Sequence, residues 1–155
     1  MAVVNNLAAL MPDLNAAKPS KAPVTINHGV LRTSCFVAAV TAGDSPESTY
    51  EVARLPSHAR IHNLSKLHST GITGLTDVDL GVSDNPDCLA DGVNLTATAT
   101  SDAAPAITPA LISEPLWKLA GLAKDPQKEM SVFLMLKTAA TADGSVAVDL
   151  VYITE

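Results

Sequence analysis

From Glu129 to Glu155 apolar and polar residues alternate along two arms. Val132, Leu134 and Leu136 fall on one face of the first arm, with Ser131 and Lys137 on the other. In the second arm Val146, Val148, Leu150 and Tyr152 share a face and Asp149 points away. Strand side chains alternate between faces, so each arm reads as a strand with one buried and one wet side. Between them stands Ala142-Asp143-Gly144-Ser145, and Asp-Gly can take the positive φ angles of a type I′ turn. The pattern predicts a closing β-hairpin.

The same reading runs back along the chain. Thr76–Val82 predicts an amphipathic strand with Val78, Leu80 and Val82 inward and Asp77 and Asp79 outward. Ser48–Leu55 predicts another, with Tyr50 and Val52 on one face and Glu51 opposite. It is broken by Pro56-Ser57-His58, and an extended pattern resumes over Ala59–His68. Ser69–Gly74 and Ser101–Pro109 read as loops, and Gly43–Pro46 and Ser83–Asp87 as turns. Val93–Thr100 has the character of a weak edge strand. Val24–Thr41 suits two strands or one bent strand, with Gly29 a bulge or bend. Pro115–Ala123 predicts a short helix burying Leu116, Leu119 and Ala120, with Pro115 in its first turn and Gly121 weakening its end.

Residues 1–23 read as an N-terminal arm. Val3, Val4, Leu7, Leu10 and Met11 have rough helical spacing before Pro12, and a small, polar connector follows. Such a helix needs cover, either from its own core or from a neighbouring subunit. Short strands with turn signals between them indicate an all-β sandwich or barrel over residues 24–155, with one or two short helices.

Composition sharpens this picture. A chain of 155 residues suits one domain, and 47% hydrophobic content supplies a core. Aromatics are only 3%, so the core has few large anchors and extra burial in an oligomer would help. The net charge of −6 argues against direct nucleic-acid binding. The charge is uneven: residues 1–40 carry Lys18, Lys21 and Arg32 against Asp13, whereas the stretch to residue 102 is strongly acidic. No apolar run approaches the roughly 18–20 residues of a membrane span, and no signal-peptide pattern opens the chain, so synthesis in cytoplasm is expected.

Candidate chemistry is sparse. His58, His62 and His68 form a loose cluster, but His58 and His62 lie too far apart along a strand to share a metal unless the chain kinks. Asp77, Asp79, Asp84, Asp87 and Asp91 do not match a calcium loop. Neither a nucleophile elbow nor a phosphate loop is present. Cys35, in an apolar stretch, reads as a buried small hydrophobe; Cys88 lies in a turn-rich stretch. Asn63-Leu64-Ser65 and Asn94-Leu95-Thr96 match the glycosylation sequon, which a cytoplasmic protein would not use. Trp117 reads as an anchor for a satellite core. No catalytic residue, metal site or cofactor is expected.

The order of elements is distinctive. Val52-Ala-Arg-Leu-Pro-Ser-His-Ala-Arg-Ile61 leads through Ser65-Lys-Leu-His68 to Thr76-Asp-Val-Asp-Leu-Gly-Val82, then Leu116-Trp-Lys-Leu-Ala-Gly-Leu122 and the closing arms. Over roughly residues 48–155 this arrangement resembles the small structural proteins of tailed-phage heads, in particular the jelly-roll cement protein of short-tailed Bordetella-type phages. The resemblance implies a jelly-roll-like antiparallel β-sandwich and an accessory protein on the capsid exterior. There it would bridge copies of the major capsid protein as a dimer or trimer, with no catalytic residues to transfer.

No family motif covers the arm or the histidine segment. The contact residues expected are Val3, Leu7, Leu10 and Met11 of the arm, with Arg32, Arg54 and His62. The competing expectation is a jelly-roll or immunoglobulin-like module that binds a carbohydrate or host-surface ligand, for which Trp117, Tyr50 and Tyr152 are the polar-tipped aromatics available. A cupin-type metal enzyme using His58 and His62 ranks third.

Overall fold

The computed structural model describes residues 30–154. The arm, its connector, the Gly29 bend and the expected boundary between residues 23 and 24 lie outside the described residues.

Two antiparallel sheets pack face to face. The first contains β1 (Val30–Val40), β9 (Gly144–Thr154), β4 (Lys66–Thr70) and β7 (Thr98–Asp102) in that order, with the two-residue β3 (Arg60–Ile61) also paired to β9. The second runs β2 (Thr49–Pro56), β8 (Glu129–Leu136), β5 (Val78–Val82), β6 (Asn85–Ala90). With β3 set aside, eight strands wind between the sheets in the order of two interlocked Greek keys, which is the jelly roll. Among the described residues, only β5 and β6 are consecutive strands hydrogen-bonded to each other.

That topology corrects the closing hairpin. The alternation is as expected: Val132, Leu134 and Leu136 are buried from β8, and Val146, Val148 and Leu150 from β9. The two strands do not pair, however. β8 lies between β2 and β5 in one sheet, and β9 between β1 and β4 in the other. Their connection crosses between the sheets, and neither Asp143 nor Gly144 has a positive φ. Asp143 instead accepts a 2.7 Å hydrogen bond from the Ala42 backbone N–H through Oδ1, tying two loops together.

Other boundaries shift for local reasons. The extended run from Ala59 divides into β3 and β4 because the chain turns at His62–Ser65. There the buried Ser65 hydroxyl donates to the His62 carbonyl (2.8 Å) and accepts from the Val151 N–H (3.0 Å). The expected Ser83–Asp87 turn is shorter: Asn85, Pro86 and Asp87 already belong to β6. The weak edge strand begins at Thr98 rather than Val93 and takes in Ser101 and Asp102. In β2 a register shift between Glu51 and Ala53 lets Val52 and Ala53 both be buried. Asp79, expected to be wet, is buried.

The helix α1 is a single turn, Leu116–Leu119, with Pro115 at its N-cap rather than inside it. Its first free N–H groups are satisfied from outside: Leu116 N–H donates to the Ala59 carbonyl (2.8 Å) and Trp117 N–H to Ser57 (3.0 Å). At its other end Asn85 Nδ2 donates to the Leu119 carbonyl at 3.0 Å. Leu116, Leu119 and Ala120 are buried as expected, and Trp117 packs partly buried against the core. One hydrophobic cluster fills the space between the sheets, built of Leu, Val, Ile and Ala with Met130.

Candidate functional site

The inward and outward faces of β1 diverge along its length. Ala38 and Val40 are buried, whereas Val30 (52%), Leu31 (56%), Phe36 (43%) and Val37 (58%) are well exposed. Phe36 and Val30 share the inward face with Ala38 and Val40, while Leu31 and Val37 point outward. Sequence reasoning missed this surface. An apolar run such as Cys35-Phe-Val-Ala-Ala-Val40 does not itself say which of its side chains lack cover. Cys35 is also exposed, opposite Asp149 in the register with β9, which corrects its expected burial. Partial desolvation and the Asp149 carboxylate push its thiol above the ordinary range. Cys88 is half-buried, and burial pushes it up to about 11. Neither thiol is bonded to another.

Arg32 and Arg54, two of the expected contact residues, meet. They line one cleft at an end of the sandwich together with Pro56, His58, Glu129, Tyr152 and Thr154. Arg32 comes from β1 and donates through Nε to the neutral Thr154 hydroxyl at 3.0 Å. Arg54 comes from β2 and grips Glu51 through Nε (2.5 Å) and Nη2 (3.2 Å). Those bonds, with a third from the Ser131 hydroxyl at 2.7 Å, pull the Glu51 carboxyl down to about 2. His58 also borders a neighbouring shallow groove with Asp125, Gln127 and Lys128. The cleft is thus mixed in charge and open to solvent, suited to polar contact with a protein surface.

The other expected residues are dispersed. His62 lies in the turn after β3, where its Nδ1 accepts from the Leu64 N–H at 3.1 Å, outside the arginine cleft. Val3, Leu7, Leu10 and Met11 lie outside the described residues. His68 is on β4, its Nδ1 2.9 Å from the Thr100 hydroxyl. Among the described residues no group of three or more His, Cys, Asp or Glu side chains is placed to hold a metal ion. No described helix is long and apolar enough to cross a membrane.

Two of the three aromatics named for a sugar site are engaged by neighbouring side chains. Tyr50 donates its hydroxyl to the Asp44 carboxylate, and burial with that bond holds the phenol up at about 12. Trp117 is partly buried with the Lys118 ammonium 5.6 Å from its ring centre. Tyr152 is partly buried in the arginine cleft.

No family model matches the chain, and no curated protein matches it in sequence. In structure it is similar to a chain of the cyanophage Pam1 capsid asymmetric unit, with a TM-score of 0.57 at 18% identity; the match covers 82% of this chain and 86% of that one. It is likewise similar to a chain of the capsid of Ralstonia phage GP4, with a TM-score of 0.58 at 14% identity, covering 81% of this chain and 85% of the other. At such identities the likeness is one of fold.

Proposed function

We propose that this chain is a structural virion protein, a cement or decoration protein seated on the outer face of the major-capsid lattice of a tailed phage. One observation carries the reading: its jelly roll matches, over about four-fifths of its length, chains of nearly the same extent in two phage capsids. Aliphatic residues fill the core, and the surface features are those of contact rather than catalysis. β1 presents exposed apolar groups and the cleft presents Arg32 and Arg54. On this reading the arm residues Val3, Leu7, Leu10 and Met11, the arginine cleft and His62 meet neighbouring subunits, the protein acts as a small homo-oligomer, and many weak contacts sum through the repeat of the lattice.

The experiment has two arms. Mass spectrometry of purified particles is expected to find the protein in stoichiometric proportion to the major capsid protein. Purified protein is also expected to rebind heads stripped of it and to raise the temperature at which they release DNA. Particles without the protein, or assembled heads that do not bind it, would sink the assignment.

A further inference from the structure

The edge of a β-sheet offers unpaired N–H and C=O groups to other chains, and soluble monomers blunt their edges with short strands, prolines, bulges or charges. Four of the five edge strands among the described residues carry such devices, β3 being only two residues long. β7 is five residues long, Thr-Ala-Thr-Ser-Asp, four of them polar. β6 contains Pro86. β2 carries Glu51, Arg54, Pro56 and a register break.

β1 has none of these apart from Arg32. It runs for eleven residues without proline, and its pairing with β9 is continuous from Val30↔Thr154 to Val40↔Gly144. Four of the seven large apolar side chains exposed among the described residues stand on this strand, on both of its faces. A strand apolar on both faces belongs in the middle of a covered sheet rather than at its rim.

We propose that β1 is a homotypic interface. Two copies pair β1 with β1, antiparallel about a two-fold axis at Cys35, and their two first sheets become one. A two-fold contact requires a patch complementary to itself, and the strand meets that condition when reversed on its midpoint. Val30 then faces Val40, Leu31 faces Ala39, and Thr33 faces Val37. Arg32 faces Ala38, so the strand's one charge never meets its own copy. The chain's own residues 1–29, or a different protein, are the competing occupants, and the test separates them.

The full-length protein carrying Cys88→Ser is examined by sedimentation velocity over a dilution series and then oxidised with diamide. The reagent takes up the two protons and two electrons released as a disulfide forms. Mildly alkaline buffer suits the reaction because desolvation and then the Asp149 carboxylate raise the Cys35 thiol above its ordinary range, and the thiolate is the reacting form. The expected result is a dimer that dissociates on dilution and a Cys35–Cys35 linked species on a non-reducing gel. Val37→Lys, at an exposed position, is expected to weaken the dimer at least tenfold with an unchanged circular-dichroism spectrum. A monomer at every concentration overturns the proposal. So does a dimer that yields no Cys35 crosslink, a result that needs no variant of β1. A monomer in which the β1 amides that point away from β9 nonetheless resist hydrogen exchange would overturn the proposal and assign the edge to residues 1–29 of the same chain.

Discussion

The buried carboxylate of Asp79, on β5, accepts a 3.1 Å hydrogen bond from the backbone N–H of Gly92. The bond anchors the loop after β6 over the outer face of the second sheet. A residue that alternation placed in water is therefore covered by a segment distant in pattern though near in sequence.

Burial pushes the Asp79 carboxyl up; the Gly92 N–H opposes this, and the carboxylates of Asp77 and Asp91 reinforce it. A group whose folded pKa is raised stabilises the fold most below its unfolded value, and that contribution is lost as pH rises through the folded value. Asn at this position keeps an acceptor for Gly92 without the charge. Asp79→Asn is expected to raise the melting temperature at pH 7 by roughly 1–3 °C, and the gain should vanish near pH 3. Thermal melts at the two pH values check both parts.

Gly81 sits in β5 where β6 folds back against it. A Cβ there would stand 2.6 Å from the Pro86 carbonyl carbon and closer still to the Asn85 carbonyl oxygen. Both obstacles are backbone, so neither can swing aside as a side chain would. Gly81→Ala is expected to cost about 3 kcal/mol, at the upper end of overpacking penalties, and to lower the melting temperature by on the order of 10 °C. Denaturant unfolding with an unchanged slope would identify the loss as one of stability. A variant as stable as the parent would show that the β5–β6 hairpin is looser than described.

How far the fold was legible follows from what alternation encodes. It reports which face of a strand is buried, and it did so for Leu134 and Val148. It does not report the neighbour. In a jelly roll successive strands mostly cross to the opposite sheet, so β8 and β9 look like a hairpin and yet bury their apolar faces from opposite walls of one core. The Ser83-Asp84 turn was legible because it closes the one pair of consecutive strands that bond to each other among the described residues. Of the candidate site, Arg32 and Arg54 were named from sequence, but their meeting in one cleft depends on strands from different sheets. The exposed side chains of β1 were not legible. Apolar residues on both faces of a strand look the same in sequence whether the cover is the protein's own or another's.

The segment following α1 is tied down by an acid-sensitive contact. The hydroxyl of buried Ser57 donates to Asp125 Oδ1 at 2.5 Å, and the same oxygen accepts from the Gln127 N–H at 2.8 Å. These bonds, the Ser57 hydroxyl foremost, hold the Asp125 carboxyl below its ordinary value. A depressed folded pKa gives a contribution present above the unfolded value, about 3.9, and lost as pH falls through the folded value. Amide exchange at Gln127 and Lys128 is expected to quicken several-fold between pH 6 and pH 3, after correction for intrinsic rates. Ser57→Ala should produce much of that loosening already at pH 6. Equal protection in parent and variant at both pH values would show that the contact does not hold the segment.

The arginine cleft provides the sharpest test of the contact residues. Arg32 and Arg54 line it from β1 and β2, and neither belongs to the hydrophobic core. Arg54 is held by Glu51 and lies near Glu129, so reversing it sets three acids close together on an exposed face, where salt screens most of the repulsion. The paired substitution Arg32→Glu and Arg54→Glu is therefore expected to leave the fold intact. If the cleft meets an acidic surface of the lattice, the same change should weaken attachment to heads by on the order of tenfold or more in low salt, and the deficit should shrink as salt is raised. Co-sedimentation of the protein with stripped heads across a salt series measures this. A folded double variant that binds as tightly as the parent at every ionic strength would remove the cleft from the contact surface and leave attachment to the arm and His62.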